Sequence, residues 1–325
     1  MEKLRAAVIG VGHLGSHHAH KYHSLPDIEL AAVVDTNGDL AAQVANQLHT
    51  DAHIDYRRIL SQVDMVSIAA PSELHSAIAR DCLNAGVHVL VEKPMTRTVA
   101  EARELIGLAK YHNLVLQVGH LERFNPAWRA AENQLHTPHF IESHRLAPFN
   151  PRGTSVDVVL DLMIHDIDIV LAAVSSPLVN IQPVGLSVIT NEVDIANARL
   201  EFANGCVANL TASRVSNKRM RKVRFFQTDA YISVDFDARR IAVHRKEPAS
   251  EDGSPTITLD EKCFQDQDAL LDEIAAFVQA VRTGAEPAVS GEEGCRALEV
   301  ALEISTAINS SRTNTTESTK RTRNI

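Results

Sequence analysis

An α/β protein with two domains is predicted: a doubly wound parallel sheet first, then an α+β domain with an open, largely antiparallel sheet. Three observations carry this. Over the first 120 residues short apolar runs alternate with segments of helical period, the rhythm of βα units. One of those runs, Val89-Leu90-Val91, stops in Glu92-Lys93-Pro94, as a strand buried in a parallel sheet does at its carboxyl end. Beyond Val118 the rhythm gives way to successive short strands joined by turns such as Asn204-Gly205.

Leu4 to Ile9 reads as a buried strand that opens onto Gly10-Val11-Gly12-His13-Leu14-Gly15, with helical character up to Ser24. Glycines at this spacing permit a tight turn and let backbone N–H groups approach a pyrophosphate, which the helix N-terminus also attracts. Gly10, Gly12, His13, Leu14 and Gly15 are therefore cofactor-binding candidates. A second strand, Glu29 to Val34, ends in Asp35, twenty residues past Gly15 and suited to accept hydrogen bonds from ribose hydroxyls. No arginine follows it, only Thr36 and Asn37, so a 2′-phosphate would be repelled and NAD is favoured over NADP.

Asp64 to Ala69, Val87 to Val91 and Leu114 to Val118 read as further strands, with helices at Ser72 to Ala85 and Val99 to His112. Rossmann strand order is the leading topology. Ala70 and Pro71 end their strand at the same edge as Glu92 and Lys93, and small residues there leave room for the cofactor. A lysine at that edge, desolvated beside a cationic ring, has a lowered pKa and can exchange a proton near neutrality. Lys93 is thus the first candidate for chemistry.

His13, His17, His18, His20 and His23 share one helix without a carboxylate or cysteine at ligand spacing. They are expected to be surface or packing residues, and no metal is expected.

In the second half, Gly119-His120-Leu121-Glu122-Arg123-Phe124-Asn125-Pro126 leaves the sheet, a short helical stretch runs through Trp128 to Leu135, and His139 to Phe149 reads as a strand. The next helix, Val156 to Val174, carries Leu160, Ile164, Ile167 and Leu171 as an apolar stripe. Asp157, Asp161, His165 and Asp168 fall on another face. Asp161, one turn before His165, can orient the imidazole, as in a catalytic acid/base pair. Strands are read from Leu178 to Thr190, Asp194 to Phe202, Cys206 to Val215, Lys222 to Asp229, Tyr231 to Asp235, Arg240 to His244 and Thr256 to Leu259, then helices Asp266 to Val281 and Gly291 to Ile308. Domain bounds are expected at 1–120, 121–309 and, for a disordered Ser/Thr-rich tail, 310–325.

A formal charge of −9 argues against general nucleic-acid or membrane-surface binding. Four cysteines, far apart and without a CxxC pair, fit a reducing cytoplasm. No run approaches membrane-spanning length.

Gly10-x-Gly12-x-x-Gly15, Glu92-Lys93-Pro94 and Asp161-x-x-x-His165-x-x-Asp168, in that order, resemble the Gfo/Idh/MocA oxidoreductases from Met1 to about Ile308. The resemblance implies NAD(P)-dependent oxidation or reduction of a sugar or cyclitol hydroxyl. It also implies a cis bond at Lys93-Pro94, and a homodimer or homotetramer packed through the open face of the second sheet. Gly119-His120-x-Glu122-Arg123-Phe124-Asn125-Pro126, Arg152-Gly153-Thr154 and Asp161-Leu162-Met163-Ile164-His165-Asp166-Ile167-Asp168 are similar to the UDP-N-acetylglucosamine 3-dehydrogenases. These make a 3-keto sugar nucleotide for an aminotransferase on the route to a 2,3-diamino sugar of lipid A. By this likeness Arg123, Arg152 and Arg214 pair with a diphosphate, Glu122 and Asn125 contact the UDP-sugar, and Lys93 with His165 handles the hydroxyl proton. Leu121 stands where many members have asparagine, so sugar contacts of other branches do not transfer. A dehydrogenase of free sugar or inositol, a non-catalytic sensor of NAD or sugar, and a glycosidase using NAD transiently are the alternatives.

Overall fold

The computed structural model describes residues 2–151, 156–247 and 256–322, the side chains of 312–322 excepted. The chain begins with six strands, β1 (Leu4–Ile9), β2 (Ile28–Val34), β3 (Asp51–His53), β4 (Met65–Ile68), β5 (His88–Glu92) and β6 (Leu116–Gly119). Between them run α1 (His13–Ser24), α2 (Gly38–Leu48), α3 (Ser72–Asn84) and α4 (Val99–His112). Every pairing is parallel and the order is β3-β2-β1-β4-β5-β6, the Rossmann order. Val89, Leu90 and Val91 are fully buried, as a strand covered on both faces requires. Local signals fix the helix starts: Asn37 accepts from the Leu40 amide, and Thr98 with Glu101 forms a capping box on α4. Register then aligns Ile9 with Val34 and Ile68, Ile68 with Val91, and Glu92 with Gly119. The carboxyl ends of these strands therefore form one edge.

The second unit opens with α5 (Pro126–Glu132) and β7 (Phe140–Leu146), and a π turn at Val159–Met163 leads into α6 (Ile164–Ala173). Strands β8 (Leu178–Leu186), β9 (Ile195–Phe202), β10 (Val207–Ser213), β11 (Met220–Phe226), β12 (Ala230–Asp235), β13 (Arg240–Glu247) and β14 (Thr256–Cys263) complete it. The eight strands are ordered β14-β13-β12-β11-β7-β10-β9-β8; only the β7–β10 pair is parallel. Period-two alternation buries Ala196, Ala198 and Leu200 of β9 and Ala208, Leu210 and Ala212 of β10. Helix α6 lies against β7 and β10 and buries Ile164, Ile167 and Val170. The strand expected to reach Thr190 stops at Leu186, because Asp194 gathers the amides of Val188, Ile189 and Thr190 into a turn.

Two helices end the chain, α7 (Ala269–Thr283) and α8 (Gly291–Thr322). Here the expected bounds at 120 and 309 give way. The first unit comprises Met1–Phe124 and Asp268–Leu298, the second Asn125–Gln267 and Glu299–Ile325. Helix α7 places Ile274, Phe277, Val278 and Ala280 in one apolar cluster with Ala19 and Tyr22 of α1 and Leu30 of β2. Its apolar stripe is visible in the sequence, but the sheet that it covers is not. The helical backbone of α8 also passes Ser310, where an unstructured tail is expected; the segment holds no glycine or proline to interrupt a helix already nucleated by its apolar first half. No helix among the described residues is long and apolar enough to cross a membrane.

Candidate active site

At the edge of the first sheet, Gly10 turns with φ +84°, and a Cβ there would lie 2.6 Å from the Ala70 nitrogen. A Cβ on Gly15 would lie 1.8 Å from the Gly10 carbonyl oxygen, so α1 closes directly on the turn. Gly12, the N-cap of α1, has no side-chain cap and nothing within 4 Å of its Cβ position. That leaves first-turn amides and open space for an anion, which fits the pyrophosphate of a dinucleotide. His13 and Leu14 are exposed on this turn. Asp35 Oδ2 accepts from the Val11 amide at 2.9 Å and Oδ1 from the Asn37 amide at 2.9 Å, so its carboxylate is held beside the glycines with lone pairs left for ribose hydroxyls. Ile54, Tyr56, Ala70, Pro71 and Leu74 wall an adjoining cavity suited to an adenine ring. Arg57 lines it too, a residue too far along the chain from Asp35 for the local pattern Thr36-Asn37 to reveal it. Its guanidinium lies 4.8 Å from the centroid of the Tyr56 ring, with Asp81 at 3.2 Å and Asp55 at 3.7 Å.

Across the same edge Glu92 is buried and Lys93 half-buried, and the Lys93-Pro94 bond is cis. The Glu92 carboxylate rests against Gly119, where a Cβ would lie 2.9 Å from its Cδ. His75, buried on α3, ties the turn down: Nδ1 is 2.9 Å from the Pro94 carbonyl oxygen and Nε2 is 2.8 Å from that of Ala70. No sequence pattern singles out His75. His18 departs from the expectation that no carboxylate accompanies the α1 histidines. It is fully buried, with Nε2 3.1 Å from Glu92 Oε1. Spacing along the helix does not reveal this carboxylate, because it is local only in space.

Glu122 is buried, and Arg123 Nη2 donates to Glu293 Oε1 at 2.8 Å, next to the Ser290–Glu293 capping box that starts α8. In the second unit Asn125 is structural as well: Oδ1 accepts from the Ala127 amide as the N-cap of α5 and Nδ2 donates to the Phe236 carbonyl. Arg152 lies outside the described residues. Arg214 is 5 % exposed, donates to the Val156 carbonyl and has Nε 4.0 Å from Asp194.

The helix expected from Val156 with four polar residues on one face is built differently. Asp157 Oδ1 accepts from the amides of Val159 and Leu160, capping the π turn, and Asp168 is buried. A π turn takes up an extra residue and so rotates the later helical positions relative to the earlier ones. Asp161 and His165 remain half-buried. Asp166, unassigned in the sequence, is buried in a two-pronged pair with Arg145 of β7, at 2.9 and 3.0 Å.

The edge of the first unit thus joins a glycine turn with open first-turn amides, a carboxylate with lone pairs to spare and a half-buried lysine, an arrangement that fits a hydride-transfer site. The model of the Gfo/Idh/MocA oxidoreductase family, with its NAD-binding Rossmann fold, matches residues 4–120. UDP-N-acetylglucosamine 3-dehydrogenase of Acidithiobacillus ferrooxidans is 38% identical over 309 residues, 95% of this chain and 98% of that protein. A solved structure of that enzyme matches with a TM-score of 0.88 over 95% of this chain and 99% of its own, at 38% identity. Myo-inositol 2-dehydrogenase of Thermotoga maritima is 26% identical over 314 residues, 91% of this chain and 93% of that protein. With the glycine turn, Asp35 and Glu92-Lys93-Pro94 gathered at one sheet edge and relatives matched along nearly the whole chain, the protein belongs to the Gfo/Idh/MocA oxidoreductases as an NAD-binding dehydrogenase.

Proposed function

We propose that this dehydrogenase oxidises the C3 hydroxyl of UDP-N-acetylglucosamine to the 3-keto sugar nucleotide with NAD, as substrate for an aminotransferase that makes a 2,3-diamino sugar. One observation carries the reading: likeness to the Acidithiobacillus enzyme extends over 95% of the chain, well past the cofactor half. NAD supplies the hydride acceptor when bound. Lys93 and His165 handle the hydroxyl proton, and Asp161 positions the imidazole. Asp35 favours NAD over NADP through its charge, and Arg57, already faced by Asp55 and Asp81, has less to offer a 2′-phosphate. Of the three arginines assigned to the diphosphate, Arg214 is the least suited, since it is buried against Asp194.

The test is a panel of UDP-sugars, free sugars and inositols with NAD and NADP. NADH absorbance should grow with UDP-N-acetylglucosamine, and the product should be aminated by a sugar-nucleotide aminotransferase. Growth with myo-inositol but not with UDP-sugars would overturn the substrate and favour the reading suggested by the Thermotoga relative.

A further inference from the structure

A buried polar cluster lies behind the Lys93 turn. His18 of α1 (0% exposed), Glu92 at the end of β5 (9%) and Glu273 of α7 (0%) bring an imidazole nitrogen and two carboxylates within 4.8 Å of one another. His18 Nε2 is 3.1 Å from Glu92 Oε1, whereas neither oxygen of Glu273 has a hydrogen-bond partner among the described residues. Gly119 lets the Glu92 carboxylate lie flat on β6, with Cδ only 2.9 Å from its Cβ position. Among the described residues Tyr22 of α1 is a further titratable group facing Glu273; β4 contributes Ser67, 2.9 Å from the Tyr22 hydroxyl, and β6 contributes Gln117, whose Nε2 donates to the Glu273 carbonyl.

We propose that His18 and Glu273 are positioning residues for Lys93 that act through Glu92, clamping its carboxylate in one orientation at the base of the lysine's turn. The inference rests on the role of Lys93 proposed above. Glu92 directly precedes Lys93 at the end of β5, so the seating of its side chain fixes where the lysine's turn begins, and with it the position from which Lys93 meets a proton. Two carboxylates this close and this buried do not both ionise. Burial, then the charge of Glu92, pushes Glu273 well above the usual carboxyl range. Glu273 therefore keeps its proton to higher pH than an ordinary carboxyl, while Glu92 Oε1 lies 3.1 Å from His18 Nε2.

Glu273→Ala should lower kcat roughly tenfold and displace the pH profile of turnover, with NAD affinity kept within about twofold. Glu273→Gln, uncharged and of the same shape, should restore kcat at neutral pH. A second measurement needs no substrate. Because the folded state holds the Glu273 proton more tightly than the unfolded chain, its stabilising effect is complete below the unfolded carboxyl value of about 4.3 and is lost as pH rises towards the folded value. The thermal midpoint should thus fall with rising pH more steeply in the wild type than in Glu273→Gln. Equal slopes, or superimposable pH profiles for the wild type and Glu273→Ala, overturn the clamp. So does a stoichiometric divalent ion in the wild type that Glu273→Gln lacks, because a metal would then occupy the cluster. Lys93→Met alongside separates the two readings: if it is inactive while the Glu273→Ala profile is unmoved, the clamp alone fails. If it turns over normally, the role of Lys93 fails and this inference with it.

Discussion

Lys93 owes its place to the chain on either side of it. Glu92 is seated on Gly119, and the Pro94 carbonyl is held by His75. The backbone thus fixes where the ammonium starts, and removing the amine should disturb chemistry more than binding. Lys93→Met should lower turnover by roughly two orders of magnitude, while fluorescence titration finds NAD affinity unchanged. Asp35 is the converse, a residue whose charge, on the function proposed here, should serve binding. Asp35→Ser should weaken NAD by about tenfold, the worth of one charge-assisted hydrogen bond, and bring NADP to comparable kcat/KM. Undiminished preference for NAD in that variant would shift selectivity to other residues of the adenine cavity. Both side chains were legible in the sequence because their signals are local: a glycine turn, an acid twenty residues later, a charged pair before a proline. His18, His75 and Glu273 were not, since each acquires its partner only when separate elements pack.

The π turn before α6 shows how an element can keep its residues and lose its pattern. The apolar stripe did find the buried face, but four polar residues on one face presumed an unbroken α-helical period. Asp194, between β8 and β9, carries a different kind of order. Burial raises its proton affinity, yet the hydroxyl of Thr190 and the amides of Thr190, Ile189 and Val188 outweigh it and bring the carboxyl down to about 2. With a folded value below the unfolded one, its stabilising effect is complete above about pH 4 and is lost as pH falls through about 2. Asp194→Asn removes the charge opposite Arg214 and leaves one acceptor oxygen where the carboxylate uses two, for three amides and the Thr190 hydroxyl, and should cost about 3 kcal/mol in urea unfolding at neutral pH. A difference from wild type that persists undiminished at pH 2 would show that the charge is not its source.

The parallel sheet, its strand order and the open antiparallel sheet were legible because alternation and turn chemistry repeat along the chain. The return of Asp268–Leu298 to the first unit was not, because contiguity is the only guide that a sequence offers to a helix's partner sheet. The eight-stranded sheet leaves one question of covering. One face is buried, and on the other Gln182, Val184 and Leu186 of β8 stand in register with Arg199, Asn197 and Ile195 of β9, and Asn197 in turn with Thr211 of β10. Val184 is 61% and Leu186 60% exposed there, beside a shallow polar pocket formed by Glu142, His144, Gln182, Asn197, Arg199, Asn209 and Thr211. Two exposed aliphatic side chains on a face whose charges are paired, Arg199 with Glu201 and Arg224 with Glu142, are suited to lie on their own copy, and the family resemblance leads to the same expectation. Light scattering should therefore give a multiple of the chain mass for the wild type, and Val184→Asp with Leu186→Asp should reduce it to a single chain by setting like charges against each other. The substituted face belongs to the second unit and the dinucleotide turn to the first, so NAD binding should survive. A wild type that runs as one chain, or a doubly substituted variant that stays assembled, would place the subunit contact elsewhere.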